Sequence, residues 1–391
     1  MDTLNGWHCD KLTSGSESDV CHSHSYYDVP VFDSKSRFVG GREIEFSERQ
    51  PTPEDAVEIG YIDLDGDREW TPVGESRAWS WQQGAMTQWV PGSRTLVWND
   101  RENGDFVART FDVEEGESGT LPRPVYALDP NGEFALSANM ARLDYVRPGY
   151  GYVEGKNPYM DERHPAEDGI WKVDLKTGRY ELLLSLREAY RFLMSRLSIK
   201  GWLKHQYKRY IYWFNHVKIS PDGERFTVKL RFRLQNLNVR WTDTMGVSLT
   251  CGTDGDDLRL LAHGTSHVIW LDTEQLYLWQ QDGVYVYADE RPEGRQVGRL
   301  GEDLIDQNVH IRHLPGTSDQ FIFDTPYQEE IDLFRYDAGR EDLGKIAHFR
   351  NHTPERGLFR CDLHPCPSPD GEKIIVTSLD DGGRQMYLLS Y

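Results

Sequence analysis

HVKISPDGERFTV, at residues 216–228, and HPCPSPDGEKIIV, at residues 364–376, are two copies of one short pattern. In each copy the turn sequence Ser-Pro-Asp-Gly separates two runs in which apolar and polar residues alternate. Such alternation is typical of β-strands, and a turn rich in Pro and Gly between two alternating runs indicates a β-hairpin. The pattern therefore predicts a hairpin that recurs along the chain.

Weaker copies occur throughout the sequence, at residues 29–41, 88–98, 126–137, 267–279 and 310–323. Seven copies in 391 residues give a unit of about 55 residues, near the length of a propeller blade. We predict an all-β fold, a seven-bladed β-propeller that forms a single domain over residues 1–391. Residues 7–13, WHCDKLT, are expected to close the ring by completing the last blade. Two stacked β-sandwiches are the alternative.

Two stretches depart from the repeat. Residues 138–169 are rich in Gly, Pro, Tyr and charged residues, and they are predicted to form a loop. Residues 181–209 have apolar residues at a spacing near 3.6, which predicts a short amphipathic helical insertion interrupted at Gly201. We expect both insertions on one face of the propeller, where long insertions commonly build a binding site.

Charge and composition exclude several classes of protein. A net charge of −20 argues against nucleic acid as a partner. No run approaches the roughly 18 apolar residues of a membrane span, so no membrane partner is expected. Five scattered cysteines and the lack of an apolar leader predict reduced thiols and a cytoplasmic location. A periplasmic or secreted location is the alternative, if a leader has been removed.

The densest set of metal-binding residue types is Cys361-Asp-Leu-His364-Pro-Cys366. On a strand that enters the channel, a period of two places His364 and Cys366 on one side, and Cys361 precedes them. His310, which begins the preceding unit, is the predicted fourth ligand, in preference to His313. Two thiolates and two imidazoles suit a divalent metal, zinc rather than manganese. Two reduced core cysteines beside a structural histidine are the alternative.

Histidines recur at one position of the repeat. His216, His267, His310 and His364 each begin the first strand of their own unit. In a propeller that strand lines the central channel, so four consecutive blades would offer imidazoles to one funnel. His24, in the first unit, is expected to join them as a substrate-binding residue. A histidine taken alone is more often a hydrogen-bonded structural residue, so the prediction depends on four of them at equivalent positions.

The basic residues are concentrated in one part of the chain. Residues 187–240 contain thirteen Lys or Arg and three acidic residues, with aromatic residues interspersed. Cations beside aromatic rings suit an anionic sugar chain, and we predict that Arg231, Arg233 and, from the second unit, Gln88 bind such a substrate. A solvated basic helix packed against an acidic blade is the alternative.

A glycine-rich loop carries a further set of candidates, namely Arg142, Arg147 and Tyr150 in the segment that contains RPGYGY. Glycines permit backbone conformations that other residues resist, so the loop can present its side chains rigidly. Arginine pairs with carboxylates bidentately, and a tyrosine beside cations can transfer a proton. A structured loop with packed tyrosines is the alternative.

Six phrases together resemble the propeller-fold polysaccharide lyases, among them the oligogalacturonate and ulvan lyases: SHSYYDVPVFD, MTQWVPGSRTLVWNDR, LPRPVYALDPNGEFAL, RPGYGY, FNHVKISPDG and RCDLHPCPSPDG. SPDG alone is shared by TolB-like propellers. In oligogalacturonate lyases, the stretch equivalent to residues 361–366 reads Gln-x-x-His-x-His and binds manganese with a histidine from the previous blade. The resemblance thus implies a metal at His310, Cys361, His364 and Cys366. The two cysteines in place of Gln and His favour zinc.

The resemblance also implies β-elimination at a uronic acid in an anionic saccharide, and the lack of an apolar leader favours short oligosaccharides over intact polymer. That chemistry requires neutralisation of a carboxylate, a base for the C5 proton and an acid for the leaving oxygen. The residues expected to act are Arg142 and Arg147 on the carboxylate, His216 or His267 as base, and Tyr126 or Tyr150 as acid. A non-catalytic TolB-like binding propeller is the first alternative. A propeller glycoside hydrolase, which needs two carboxylates in the funnel, is the second.

Overall fold

The repeated hairpins form the two inner strands of successive antiparallel sheets, and seven such sheets, six with four strands and one with five, build a β-propeller. The computed structural model describes residues 1–14, 20–46, 49–235, 244–352, 357 and 359–391. The predicted all-β fold and the seven blades are confirmed. No helix among the described residues is long and apolar enough to span a membrane.

The strands follow one another blade by blade. Two short strands, β1 (Asp2–Thr3) and β2 (His8–Lys11), precede the first blade. Blade 1 contains β3 (Cys21–Ser23), β4 (Phe38–Ile44), β5 (Val57–Asp63) and β6 (Trp70–Ser76). Blade 2 contains β7 (Gln88–Trp89), β8 (Thr95–Glu102), β9 (Asp105–Asp112) and β10 (Ser118–Leu121). Blade 3 contains β11 (Ala127–Leu128), β12 (Phe134–Ser137), β13 (Gly169–Asp174) and β14 (Tyr180–Ser185).

The remaining four blades continue the same order. Blade 4 contains β15 (Tyr210–Ile219), β16 (Arg225–Leu234), β17 (Met245–Gly252) and β18 (Arg259–His263). Blade 5 contains β19 (Thr265–Trp270), β20 (Gln275–Gln280), β21 (Gly283–Ala288) and β22 (Arg295–Leu300). Blade 6 contains β23 (Ile311–His313), β24 (Gln320–Asp324), β25 (Ile331–Asp337) and β26 (Asp342–Phe349). Blade 7 contains β27 (Cys366–Pro367), β28 (Lys373–Ser378) and β29 (Gln385–Ser390).

The N-terminal strands close the ring. Strand β2 pairs antiparallel with β29 and supplies the fourth strand of blade 7, as the sequence predicts. Strand β1 pairs with β26 and extends blade 6 to five strands. Both pairings cover strand edges that would otherwise be exposed.

The Ser-Pro-Asp-Gly turn explains why the hairpin recurs. In blade 4 the Ser220 hydroxyl accepts a hydrogen bond from the backbone N–H of Arg225, and Gly223 lies at a φ of 79°, where a side chain would be strained. Blade 7 repeats this arrangement with Ser368 and with Gly371 at a φ of 76°. The same four residues therefore fix the same turn in two blades.

The two insertions contain three helices. Residues 138–169, predicted as loop, include α1 (Met140–Val146), which Asn139 caps. The second insertion folds as α2 (Leu186–Met194) and α3 (Ile199–Lys208), so the helical prediction is right. The predicted break at Gly201 is wrong, because the Ser198 hydroxyl caps α3 by accepting from the Gly201 N–H and places that glycine inside the helix.

The insertions contact each other on one side of the ring. The Arg163 guanidinium, from the first insertion, donates hydrogen bonds to the carbonyls of His205 in α3 and Tyr210 in β15. The backbone N–H of Arg187 in α2 donates to the Pro165 carbonyl. These bonds connect both insertions to the first strand of blade 4.

Candidate active site

The four repeat histidines converge on the central channel. Ring centroids lie 4.5 Å apart for His267 and His310 and 4.6 Å apart for His310 and His364, and Tyr26 stacks on His216 at 5.7 Å. His216, His267 and His364 have φ values of 54°, 47° and 49°, in the left-handed region that costs energy for residues other than glycine. Strands β15 and β19 are bulged at His216 and His267, which aims both side chains into the funnel.

Three of the residues around this channel form a candidate metal site. His310, Asp362 and His364 are buried, and their ligand atoms all lie within 4.8 Å of one another. The Nδ1–H of His310 donates to the Asp324 carboxylate at 3.0 Å, and the same carboxylate accepts the backbone N–H of His364 at 3.2 Å. A carboxylate behind a histidine in this way is the usual outer shell of a metal ligand.

The two imidazole nitrogens of this group have no other hydrogen-bond partner among the described residues. Among the described residues, neither Nε2 of His310 nor Nε2 of His364 has a hydrogen-bond partner, although both atoms are buried. Buried polar atoms without a partner are costly, and a bound cation would satisfy both. Two imidazoles and one carboxylate suit manganese, iron or zinc. The residues present therefore fit a divalent metal.

The predicted cysteine ligands lie elsewhere. Neither Cys361 nor Cys366 belongs to the three-residue group found among the described residues. The Cys361 thiol lies 3.6 Å from the carbonyl of Thr377, and the Cys366 thiol lies 3.4 Å from that of Val29. The left-handed backbone of His364 breaks the alternation on which the prediction depended. Burial raises the pKa of Cys361 to about 11. Because neither thiol belongs to the group of converging ligands, the preference for zinc loses its basis.

A cavity of about 230 Å³ adjoins the histidines. None of the carboxylates among the described residues lines it, whereas five cations do: Arg147, Lys218, Lys229, Arg231 and Arg360. The other side chains that face the cavity are mainly aromatic or imidazole groups, namely Tyr26, Tyr27, Tyr150, Tyr327, His216 and His267. Such a lining is complementary to an anionic ligand with a ring structure.

Charge pairing within this lining is uneven. Lys218 forms an ion pair with Asp28 at 2.7 Å, and Arg360 pairs with Asp362 at 2.7 Å. The Nε–H of Arg231 donates to the Asn215 side chain, which is neutral, and burial together with nearby Arg147 lowers the pKa of Arg231 to about 9. Burial and the neighbouring cations also hold the pKa of Lys229 well below its usual value. An anion in the cavity would relieve this repulsion.

Tyr150 stands between two guanidinium groups. Arg147 lies 3.5 Å from the centroid of the Tyr150 ring, and Nη2 of Arg360 donates to the hydroxyl at 3.2 Å. Burial alone would raise the pKa of Tyr150, but the two arginines together hold it below its ordinary value of 10.0. A side chain added at Gly151 would lie 2.2 Å from the Met140 carbonyl, so this glycine lets the loop pack against α1.

Burial also controls the pKa of His216, whose side chain lines the central cavity. Desolvation and then the charges of Lys218, Arg231 and Lys229 hold its pKa well below 6.5. The imidazole is therefore neutral at physiological pH and able to accept a proton. The hydroxyl of Tyr126 accepts the backbone N–H of His216 at 2.9 Å and fixes the position of this residue.

Tyr126 itself is not on the cavity lining. Its hydroxyl also accepts a hydrogen bond from the Gln83 amide at 2.7 Å, so two donors already hold it in place. Burial raises the pKa of Tyr126 above its ordinary value. The predicted catalytic tyrosine is thus a positioning residue for His216, and Tyr150 is the tyrosine that reaches the cavity.

Arg142, predicted to neutralise a carboxylate, is a structural residue. Its guanidinium donates to four backbone carbonyls, those of Tyr159, Glu162, Arg163 and Tyr212. These bonds connect α1 to the 159–163 segment and to β15. The side chain is buried, it is not among the residues that line the central cavity, and these carbonyls occupy four of its five N–H donors.

We expect replacement of Arg142 by Met to destabilise the fold by roughly 3 kcal/mol, because several buried carbonyls lose their donor. Urea denaturation measures this loss, with Arg179→Met as the control, since Arg179 is exposed. Metal content of the folded protein should not change. Unchanged stability together with loss of saccharide binding would restore the role first predicted for Arg142.

Three predicted substrate-binding residues also lie off the cavity. His24 is buried, its Nε2–H donates to the His364 carbonyl at 2.8 Å and its Nδ1 bonds the Thr377 hydroxyl at 2.6 Å, so both nitrogens are occupied. Gln88 lines a separate cavity, and Arg233 donates to the Val146 carbonyl. Arg231, by contrast, lies on the lining of the central cavity.

Sequence reasoning missed several residues of the site. Arg360 and Asp362 directly flank Cys361, and Lys229 precedes Arg231 by two residues on β16. Their closeness in the sequence to predicted site residues could have identified them as candidates. Tyr26 follows the His24 motif. Tyr327, Asp324 and Asn308 lie in parts of blade 6 that carry no motif, and nothing in the sequence marked them.

Comparison with known proteins supports the fold. No protein-family model matches the chain, and no curated protein matches it. An oligogalacturonate lyase in complex with manganese is 15% identical, with a TM-score of 0.60 over 100% of this chain and 95% of that chain. Oligogalacturonate lyase from Vibrio parahaemolyticus is 13% identical, with a TM-score of 0.59 over 100% and 97%.

The β-propeller domain of the trilobed protease from Pyrococcus furiosus is also similar. It is 10% identical, with a TM-score of 0.51 over 94% of this chain and 95% of that chain. At these identities the similarity concerns the fold, and the chemistry has to be argued from the site. The chain therefore shares its seven-bladed propeller fold with the oligogalacturonate lyases, as the sequence motifs predict.

Proposed function

We propose that this protein is a carbon–oxygen lyase that cleaves a uronate-containing oligo- or polysaccharide by β-elimination. The observation that carries the proposal is the central cavity, whose described lining holds five cations and no carboxylate, beside a candidate metal site. Such a cavity suits a carboxylated sugar. The carboxylate pair that most glycoside hydrolases require is not found among these lining residues. The fold similarity to oligogalacturonate lyases supports the same class of reaction.

The cations prepare the substrate. In this proposal Arg147, Lys229 and Arg231 surround a uronate carboxylate, and their positive charge stabilises the negative charge that develops on it when C5 loses its proton. The nearby cations that lower the pKa values of Lys229 and Arg231 mean that an anion beside these two residues gains more than it would at a neutral site. A divalent cation held by His310, Asp362 and His364 would add positive charge beside the same carboxylate.

His216 and Tyr150 carry the proton transfers. In the proposed reaction, neutral His216 takes the C5 proton, the electrons of that C–H bond form the C4=C5 double bond, and the C4–O bond breaks. Tyr150 gives its hydroxyl proton to the departing oxygen, for which its lowered pKa is favourable. Arg147 and Arg360 stabilise the phenolate that remains. His267, also on the lining, is the alternative base.

The pH profile follows from these roles. Because the base must be unprotonated, kcat/KM rises through the pKa of His216, so its acidic limb is expected below pH 6.5. Because the acid must be protonated, kcat/KM falls through the pKa of Tyr150, below pH 10.0. Arg231→Met removes a positive charge near His216, raises its pKa and moves the acidic limb upward. An acidic limb at or above pH 6.5 in the unmodified protein would contradict the assignment.

Ultraviolet absorbance tests the proposed function. Elimination creates a conjugated, unsaturated uronate that absorbs where the substrate does not. The protein loaded with manganese or with zinc is mixed with uronate oligosaccharides and polymers, and with neutral glucans as control. A rise in absorbance on a uronate substrate alone supports the lyase. A flat trace across the whole panel would favour the non-catalytic binding propeller.

A further inference from the structure

Helix α3 exposes an apolar and aromatic face to solvent. Of its ten residues, His205 is buried. The exposed fractions are 80% for Ile199, 44% for Trp202, 54% for Leu203 and 84% for Tyr207. The spacing of three, four and eight residues places these side chains on one side of the helix. A face of this size that remains exposed among the described residues indicates a surface that contacts something else.

The charge around this face is positive. Lys200, Lys204 and Lys208, at intervals of four residues, form an exposed row beside the aromatic face, and exposed Arg196 and Arg209 flank the helix. No acidic residue occurs between residues 189 and 221, in a chain whose net charge is −20. The local field therefore attracts a polyanion, although the protein as a whole repels one.

A groove connects this helix to the proposed active site. A cavity of about 490 Å³, distinct from the central cavity and from the one that Gln88 lines, lies between the helical insertion and blade 4. Leu193, Leu197 and His205 line it on the side of the insertion. On the other side it is lined by Lys229 and Arg231, which also line the central cavity. The two cavities therefore adjoin at a pair of cations, and the outer one leads toward α3.

We propose that the helical insertion is a binding surface for a long, polyanionic polysaccharide, with Trp202 and Tyr207 as platforms for sugar rings and the lysine row as contacts for their charges. The inference rests on the proposed function, which supplies the kind of saccharide that is bound at the central cavity. Aromatic rings stack on the apolar faces of sugars. A row of lysines binds the closely spaced negative charges of a polyanion, whatever its backbone. The natural substrate is then longer than the short oligosaccharides that the sequence suggests.

Calorimetry with two probes tests this inference. Binding of polygalacturonate and of trigalacturonate is measured in a Tyr150→Phe background, where turnover is suppressed. The triple variant Lys200→Gln, Lys204→Gln, Lys208→Gln should weaken polygalacturonate binding by about tenfold, and leave trigalacturonate within about twofold. The pair Trp202→Ala, Tyr207→Ala should act in the same way. The control triple is Lys35→Gln, Lys156→Gln, Lys176→Gln, which removes three exposed lysines from elsewhere.

The outcomes separate this inference from the proposed function. Selective loss of polymer binding supports the inference even if no elimination is ever detected. Equal effects on both probes, an effect no larger than that of the control triple, or no polymer binding by the parent protein would overturn it. If the protein binds vesicles of anionic phospholipid through α3 while the variants leave polymer binding unchanged, the face would be assigned to a lipid surface instead. If Leu203→Glu abolishes self-association and polymer binding is unchanged, the face would be assigned to a second copy of the chain.

Discussion

Replacing Tyr150 by Phe is expected to lower kcat for elimination by about three orders of magnitude and to change KM little. The hydroxyl is the group that gives its proton to the leaving oxygen, and Phe cannot replace it. The ring of Phe still stacks against Arg147, so the loop should keep its conformation. Stopped-time assays of unsaturated product, with circular dichroism as a check on folding, measure the effect.

Tyr27→Phe is the matched control for this variant. Tyr27 lines the same cavity and is buried, but its hydroxyl has no hydrogen-bond partner among the described residues. Removing that hydroxyl should leave kcat within about threefold. If Tyr150→Phe retained a kcat within about tenfold of the parent, Tyr150 would not be the acid, and another group would have to protonate the leaving oxygen.

The second large effect concerns the metal. His364→Ala is expected to abolish stoichiometric binding of manganese or zinc, because it removes one of three converging ligands. Asp324→Asn should weaken binding by about 10- to 100-fold, since the carboxylate orients His310 without touching the metal. Metal content after equilibrium dialysis, measured by mass spectrometry of the elements, provides a readout that does not depend on activity.

Cys361→Ser and Cys366→Ser distinguish the structure from the sequence-based expectation. Their thiols contact the carbonyls of Thr377 and Val29, so both variants should bind metal as the parent does. Loss of metal from either cysteine variant, with folding intact, would contradict the site described above and restore the predicted zinc ligands.

The fold could be predicted because a propeller repeats one local unit. The Ser-Pro-Asp-Gly turn is decided by contacts within six residues, such as Ser220 with Arg225, and these are visible in the sequence. The repeat also places His216, His267, His310 and His364 at equivalent positions of consecutive blades. Their convergence in the channel follows from that equivalence and not from any motif around each histidine.

The candidate site was predictable only where it follows the repeat. The prediction that His364 and Cys366 lie on one side assumed a regular strand with a period of two. The left-handed backbone at His364 interrupts that alternation, so Cys366 lies on the other side. Arg142 and Tyr126 form hydrogen bonds with backbone groups up to 90 residues away in the sequence. Their structural roles therefore depend on tertiary contacts, which no local pattern shows. Asp324 and Tyr327 enter the site from loops and strand ends of blade 6, where residue type alone gave no signal.

Cleavage in water labelled with heavy oxygen tests the central claim most directly. Elimination breaks the C4–O bond without adding water, so the two fragments together have the mass of the substrate and carry no label. Mass spectrometry of the products from a uronate oligosaccharide should show one unsaturated fragment and one ordinary fragment, both unlabelled. Two saturated fragments whose masses add up to that of the substrate plus one labelled water would show hydrolysis and would contradict the lyase.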